Sequence, residues 1–502
     1  MEGSLILPVM ILLPLLGAII AMYCTGSKAR LARIVALAFT AADLVLAFYV
    51  MLVGNYSDYN FSANWIDAAG LKMSLIFTVD GLSILMVFLT ALLEFIVMAF
   101  SFKEKDHPNK FFALLLLIEV GLMGVYTAAD YFLFYIMWEI TLIPMYFLIS
   151  WYGGPRRHYS AIKFFIYTHV ASLVMLIGIF ALAFQAAASA GTGVVDFSFA
   201  AILAESSTFG TLFQDLVFGL LFFGFFVKMP AVPFHTWLPD AHTEAPTAGS
   251  VLLAGVMLKM GSYGIIRICL EVLPQGAHDW QWVMIAMGLL AAIYGAYACI
   301  AQRDLKKMVA YSSISHMGLV MLSMGLLTEI GIQFAIFQMF AHGLISAMLF
   351  MVCGWLGHAI GTREIPLLGG LASKLPIFAG MMMFCFMASL GLPGLIGFWG
   401  EFGIIFGFTE FLEGQNMIYL LVFCLLSLLL TAGYYLWAMQ RTLFGHVTTK
   451  IDLSHAHDFN RLEFVCLGVL VIAIVLYGVW PDLALSQIGD YAANLAAIYG
   501  VF

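Results

Sequence analysis

The stretch Lys228–His235 reads KMPAVPFH and the stretch Gly391–Gly400 reads GLPGLIGFWG, and each cuts across an apolar run of helix length. Proline deletes a backbone donor and clashes with the preceding turn, so Pro230, Pro233 and Pro393 break or kink the helices that reach them. A charged side chain stands beside each break, Lys228 before the first and Glu401 after the second. Helices interrupted at corresponding positions of two halves predict a chain built from internal repeats, with an ion path where the helices break.

The composition around these breaks fixes the solvent. Of the 502 residues, 63% are hydrophobic and only 10% charged, with a mean hydropathy of +1.01, against about a quarter charged in soluble domains. Apolar runs of roughly 20 residues, enough helix to cross a bilayer core, recur fourteen times. They lie near 5–23, 31–53, 77–100, 111–128, 131–151, 161–186, 212–230, 247–270, 281–301, 308–327, 332–358, 377–408 (interrupted), 417–444 and 462–480. The expected fold is an all-α polytopic membrane protein of about fourteen transmembrane helices. Taking helices four to eight and nine to thirteen as two five-helix repeats puts the breaks in helices 7 and 12, the fourth of each unit. Residues 1–110 then hold three N-terminal helices, 111–270 the first repeat, 281–445 the second, and 446–502 a loop, the last membrane helix and a C-terminal tail. The run Leu5–Tyr23 has no basic stretch before it and no small-residue cleavage pattern after it, so it reads as the first span, not as a removable signal.

Basic residues give the orientation, because Lys and Arg accumulate in cytoplasmic loops. The loops after odd-numbered helices carry Lys28, Arg30, Arg33, Lys103, Lys105, Lys110, Arg156, Arg157, Lys163, Arg303, Lys306, Lys307, Arg363, Lys374, Arg441, Lys450 and Arg461, which is 17 of the 21 basic residues. The even loops have Lys72 alone. Both termini are therefore expected on the outer side. One helix missed or invented would destroy the alternation. The net charge of −8 leaves no basic stripe for a nucleic-acid backbone, which excludes that partner class. The seven cysteines are scattered through apolar runs with no C-x-x-C pair, so no iron–sulfur or zinc site is expected. The 29 methionines and 44 phenylalanines read as packing and lipid-facing residues, and the 46 glycines suit close helix contacts.

Charges inside the spans carry the chemistry. A charged side chain in mid-membrane costs about 2.5–3.5 kcal/mol on insertion scales, so it needs a partner, a wet cavity or a function. Glu139 lies near the centre of the fifth span, Lys228 before the first break, Lys259 midway along the eighth span and Glu401 after the second break. His316 and His342 add groups able to exchange protons near neutral pH. Burial disfavours an ammonium and a neighbouring carboxylate favours it, so a lysine beside a movable carboxylate can store and release a proton. Glu139 is the expected modulator of Lys228, Lys259 the central relay and Glu401 the exit group, with no sodium site needed. A structural Glu139–Lys228 ion pair is the alternative reading, and either histidine could be a satisfied core residue. Asp80, Glu94, Glu119 and Asp130 are expected, for the most part, to cap helices or face water. His235, Asp240, His242 and Glu244 are metal-type ligands without the compact spacing of a site, so no metal is expected there. Nor do the histidines have the surroundings of a haem pair.

The run KMPAVPFHTWLPDAHTEAPTAGS (Lys228–Ser250), followed by GVMLKMGSYG around Lys259, resembles the signature of the antiporter-like membrane subunits of respiratory complex I. WEITLIPMYFLI (Trp138–Ile149), KFFIYTHVASLVMLIG (Lys163–Gly178), DLKKMVAYSSISHMG (Asp304–Gly318) and GLPGLIGFWGEF (Gly391–Phe402) extend the resemblance over most of helices four to thirteen. Within that family the chain is most similar to chain M, because Glu401 stands where the sister chains L and N typically have lysine and because no long lateral helix follows the fourteenth span. The resemblance implies two inverted repeats and proton translocation through Glu139, Lys228, Lys259, His316, His342 and Glu401, in the energy-transducing inner membrane of a prokaryotic cell. It also implies that NAD or another donor, FMN, iron–sulfur clusters and quinone belong to partner subunits, with chains L and N and lipid as neighbours and no cofactor in this chain. His169 stands where related chains often have glutamine and is given no role. Rival readings are a subunit of a multisubunit sodium/proton antiporter, a subunit of a related membrane-bound hydrogenase or deazaflavin-fed dehydrogenase, and a non-conducting scaffold.

Overall fold

The computed structural model describes every residue except Met1, Ser27, Lys28, Asp452, Ser454, His455, Val501 and Phe502; Lys28, one of the basic loop residues above, lies outside the described residues. The helices are α1 (Ile6–Tyr23), α2 (Ala29–Val53), α3 (Ser83–Phe100), α4 (Pro108–Thr127), α5 (Tyr131–Tyr152), α6 (Arg157–Ala190), α7 (Phe199–Glu205), α8 (Thr211–Lys228), α9 (Trp237–Glu244) and α10 (Thr247–Leu270). They continue with α11 (Pro274–Asp279), α12 (Gln281–Ile300), α13 (Leu305–Met324), α14 (Glu329–Ile360), α15 (Pro376–Ser389), α16 (Ile396–Gly414), α17 (Leu421–Thr442), α18 (Arg461–Val479) and α19 (Asp482–Tyr499). Among the described residues, twelve helices are long and apolar enough to cross a membrane. The two further predicted spans are α13, whose serines and lysines lower its hydropathy, and the divided pair α15–α16. Both predicted breaks are present: α8 stops at Lys228 and α9 starts at Trp237, while α15 stops at Ser389 and α16 starts at Ile396.

Burial orders the helices around a centre. All of the most apolar 18-residue window of α14 is buried, as is 94% of that of α10, against 28% for α2 and α17. A helix apolar on all sides and enclosed by others belongs to the core, and Lys259 and His342 sit on these two central helices. Small residues let them approach: a Cβ added to Gly343 would meet the Gly255 carbonyl oxygen at 2.9 Å. Without side chains there, the two backbones close to contact, which brings Lys259, one turn beyond Gly255, against His342. Side chains also fix where helices begin. Asp130 caps α5 by accepting from the backbone of Phe132 and Leu133 at 2.9 and 3.0 Å, and Asp304 caps α13 through Lys307 N.

Two features lie outside the sequence expectation. The loop after the second span folds as a hairpin, β2 (Phe61–Ala68) and β3 (Leu71–Phe77), joined by Ala69–Gly70 with φ of +56° and +79°, the positive-φ pair a twisted two-residue hairpin requires. β1 (Glu2–Gly3) pairs antiparallel on its far side, and β4 (Val195–Asp196) adds in parallel to β3, with Lys72 opposite Asp196. Their side chains meet at 2.7 Å. Burial pushes the Asp196 carboxyl up, but hydrogen bonds from Lys72 and Ser198 outweigh it and hold it below its usual range. The expected C-terminal tail is helical, α19, and returns over the ends of α10 and α14: Tyr499 donates to the Leu270 carbonyl at 2.5 Å, and Tyr491 to Glu271.

Candidate functional site

The eighth span places the central lysine. Within α10 the turns Leu253–Met257 and Ile265–Leu270 are π-helical and flank Lys259, and such wide turns free backbone groups and cluster at functional sites. The Nζ of Lys259, fully buried, donates to the Ala254 carbonyl in the first wide turn and lies 2.7 Å from Nδ1 of His342 on α14. The His342 ring sits 5.4 Å, centroid to centroid, from that of His316 on α13. Nδ1 of His316 is 3.3 Å from Oε1 of Glu401 on α16. Neither atom has a hydrogen-bond partner, so the two face each other at contact distance without a hydrogen bond. Nε2 of His316 faces the Ser389 hydroxyl at 3.2 Å, and hydroxyls continue to Tyr435 at 2.7 Å and Ser312 at 3.0 Å. Lys259, His342, His316 and Glu401 are at most 6% exposed. Four of the six predicted residues therefore form one buried row across α10, α14, α13 and α16.

Glu139 and Lys228 are not joined to each other. Oε2 of Glu139, on α5, is 3.0 Å from Nδ1 of His169 on α6, and its other oxygen accepts from Ser172. Lys228 ends α8, is 2% exposed, and its Nζ has no hydrogen-bond partner. It rests instead over the rings of Trp138 and Phe164, each 5.6 Å away. The alternative of a locked Glu139–Lys228 pair is not what this conformation holds.

Other expectations divide. Asp80 and Asp130 do cap helices, and Asp80 also takes both oxygens to Arg267 at 2.6 and 2.7 Å. Glu94 and Glu119 correct the expectation of a wet or capping role: both lie within helices, fully buried, beside the equally buried Asp43 of α2, a residue the sequence reading did not single out. None of the six carboxylate oxygens has a hydrogen-bond partner. The helix-end estimate failed because span limits drawn from hydropathy do not say which helices enclose a position. Of the four metal-type residues of the first break, Asp240 meets Lys163 at 2.7 Å and Glu244 accepts from the Arg156 backbone at 2.9 Å, while His242 stacks on Phe350 and His235 lies against Tyr294, with no hydrogen-bond partner at any of their ring nitrogens. His169 is the functional candidate that sequence reasoning passed over. Its signal was a histidine inside the otherwise apolar sixth span, judged by what stands there in relatives and not by its own cost in the membrane.

A transmembrane-domain family model described as NADH:quinone oxidoreductase/Mrp antiporter matches residues 128–450. The chain belongs to this family. The matched region of this antiporter-type subunit starts just before α5 and covers both broken helices and all six predicted residues. Over nearly its whole length it is similar to the F(420)H(2) dehydrogenase subunit M of Methanosarcina mazei, at 40% identity covering 98% of this chain and 99% of the relative. The NADH-quinone oxidoreductase subunit M of Escherichia coli K12 is 37% identical, covering 97% of each. Among solved structures, a chain of respiratory complex I from Thermus thermophilus superposes with a TM-score of 0.87 at 27% identity, covering 98% of this chain and 99% of that one.

Proposed function

We propose that this chain is the proton-translocating, chain M-type membrane subunit of a complex I-type oxidoreductase. The observation that carries the reading is the buried row Lys259–His342–His316–Glu401, which runs from α10 through α14 and α13 to α16 and ends beside the second helix break. Four ionisable groups held together away from water are costly unless they conduct or pair, and only exchangeable protons match lysine, imidazole and carboxylate in sequence. Lys259 and His342 cannot both be cationic at 2.7 Å without repulsion, so a proton arriving at one displaces a proton toward His316 and Glu401. Glu139 and Lys228 form the loading side, where the carboxylate position sets whether Lys228 holds its proton.

In this proposal the chain lies in the prokaryotic inner membrane with both termini outward, beside subunits of the L and N type. Electron input, flavin, iron–sulfur clusters and quinone reduction are assigned to partners. The 40% identity to an F(420)H(2) dehydrogenase subunit favours a second reading of the donor, a reduced deazaflavin in place of NADH. Inverted membrane vesicles carrying the whole complex test both points. Supplied with NADH or reduced deazaflavin, the wild type should acidify its lumen with one donor, while K228A and E139A in fully assembled complex should lose pumping and slow electron transfer. Pumping unchanged in both variants would leave the buried charges a scaffold. Proton movement coupled to sodium without any donor would identify an antiporter subunit.

A further inference from the structure

Resting on that reading, we propose that His169 is a proton-carrying residue of the loading side: it passes a proton through its imidazole to Glu139, and Glu139 delivers it to Lys228. The geometry is that of a relay and not of a packing contact. Nδ1 of His169 faces Oε2 of Glu139 at 3.0 Å, which leaves Nε2 on the opposite side of the ring. The His169 and Glu139 side chains are 36% and 20% exposed on a face otherwise built of Ile143, Ile166, Val170 and Leu173, each more than 40% exposed. The pair is thus a polar opening in an apolar wall at membrane depth, reachable from the side, whereas Lys228 beyond it is enclosed.

A merely structural role would not need a histidine. Ser172 already donates to Glu139, and one further neutral donor, such as a glutamine amide, would complete the carboxylate's hydrogen bonds. Imidazole adds two things an amide lacks, a titratable proton near neutral pH and a second nitrogen to reload it. Phe165 stacks on the ring at 5.2 Å with an interplanar angle of 17°, holding Nδ1 on Glu139. Lys228, with no hydrogen-bond partner, is the group that lacks a counter-charge while Glu139 is held by His169.

The step balances. Imidazolium at His169 transfers the Nδ1 proton to the Glu139 carboxylate. The neutral acid turns to Lys228 and protonates its amine, and the carboxylate remains as counter-ion to the ammonium. His169 is then neutral with its remaining proton on Nε2; a shift of tautomer moves that proton to Nδ1, and the freed Nε2 takes a new proton from the open side, which restores the imidazolium. The charged or titratable groups around His169 are Glu139 and Tyr135 of α5 and, beyond Glu139, Lys228 of α8. Lys163, nearer the start of α6, is tied to Asp240 of α9, where Glu244 accepts from the Arg156 backbone and His242 stacks on Phe350. Asp196 of β4 and Glu205 of α7 stand at the far end of α6.

The test is the rate of donor-driven pumping against pH for wild type, H169Q and K228A in assembled complex, with H169N replacing H169Q if assembly falls. H169Q should lower the neutral-pH rate about fivefold or more and move the alkaline limb of the curve by about one pH unit. A lower rate with an unshifted curve makes His169 a hydrogen-bond donor only and overturns the assignment, as does a curve identical to wild type. K228A separates the two levels: if it pumps normally the conducting reading itself fails, and if it is inactive while H169Q matches wild type only the role of His169 fails.

Discussion

Nζ of Lys259 lies 2.7 Å from Nδ1 of His342, and because an ammonium has no lone pair, one of the two nitrogens must be unprotonated for the contact to be a hydrogen bond. A lysine can supply either form. Arginine stays charged under all these conditions, so K259R keeps the positive charge but cannot release its proton. K259R should assemble normally and lose pumping on the order of tenfold or more, read in inverted vesicles against complex content. Retained pumping would make Lys259 an electrostatic anchor and not a carrier.

Gly391 adopts φ +80°, and a Cβ there would come to 2.6 Å from Oε2 of Glu401. Gly394, in the same break, has φ +90° and nothing within 4 Å of its Cβ position. Alanine at either site bears the left-handed strain, about 1–2 kcal/mol, but only G391A pushes on the carboxylate. G391A and G394A should therefore lose similar thermal stability, while G391A alone depresses pumping. Equal pumping in the two variants would show that the position of Glu401 beside the break is not used.

Much of this arrangement was legible in the residues. Pro230, Pro233 and Pro393 located both breaks, and the alternation of Lys and Arg between loops agreed with a count of fourteen spans. Lys259, His316, His342 and Glu401 could be picked out because each is an ionisable group inside an apolar run. What distance in sequence conceals is which of them touch: Lys259 and His342 are 83 residues apart and meet because Gly255 and Gly343 let α10 and α14 close. The same blindness hid the direct contacts of Glu139 to His169 and Ser172, and left Glu94 and Glu119 near water when Asp43 and the walls of α2, α3 and α4 enclose them. The hairpin β2–β3 escaped because the apolar–polar alternation of FSANWIDA slips at Trp65–Ile66, where the strand pairing itself shifts register.

Arg267 ties three parts of the chain at one face. It holds Asp80, just before α3, with both oxygens, Glu271 on its own helix at 3.0 Å, and lies 5.2 Å from the Tyr491 ring of α19. Removing the guanidinium leaves two carboxylates facing each other, whereas D80A leaves Arg267 with Glu271. R267A should therefore destabilise the purified complex more than D80A, by about 3 kcal/mol against about 1, after discounting for the partial exposure of Asp80. Thermal unfolding of this subunit in detergent gives the order, and a D80A loss equal to that of R267A would refute the three-way tie.

Asp43, Glu94 and Glu119 are fully buried on three neighbouring helices, and no basic side chain contributes a hydrogen bond to any of their oxygens. An uncompensated charge in such a place costs several kcal/mol, and a second one beside it adds repulsion. The group can therefore hold at most one negative charge. E94Q and E119Q, singly or together, keep shape and polarity while removing only the ability to ionise. Both variants should assemble to wild-type levels with melting temperatures within about 2 °C of the parent, or slightly above it where repulsion is relieved. A drop of many degrees in either would mean that the carboxylates are ionised together and balanced by a bound cation, and titration of the purified complex with monovalent and divalent salts would then show which.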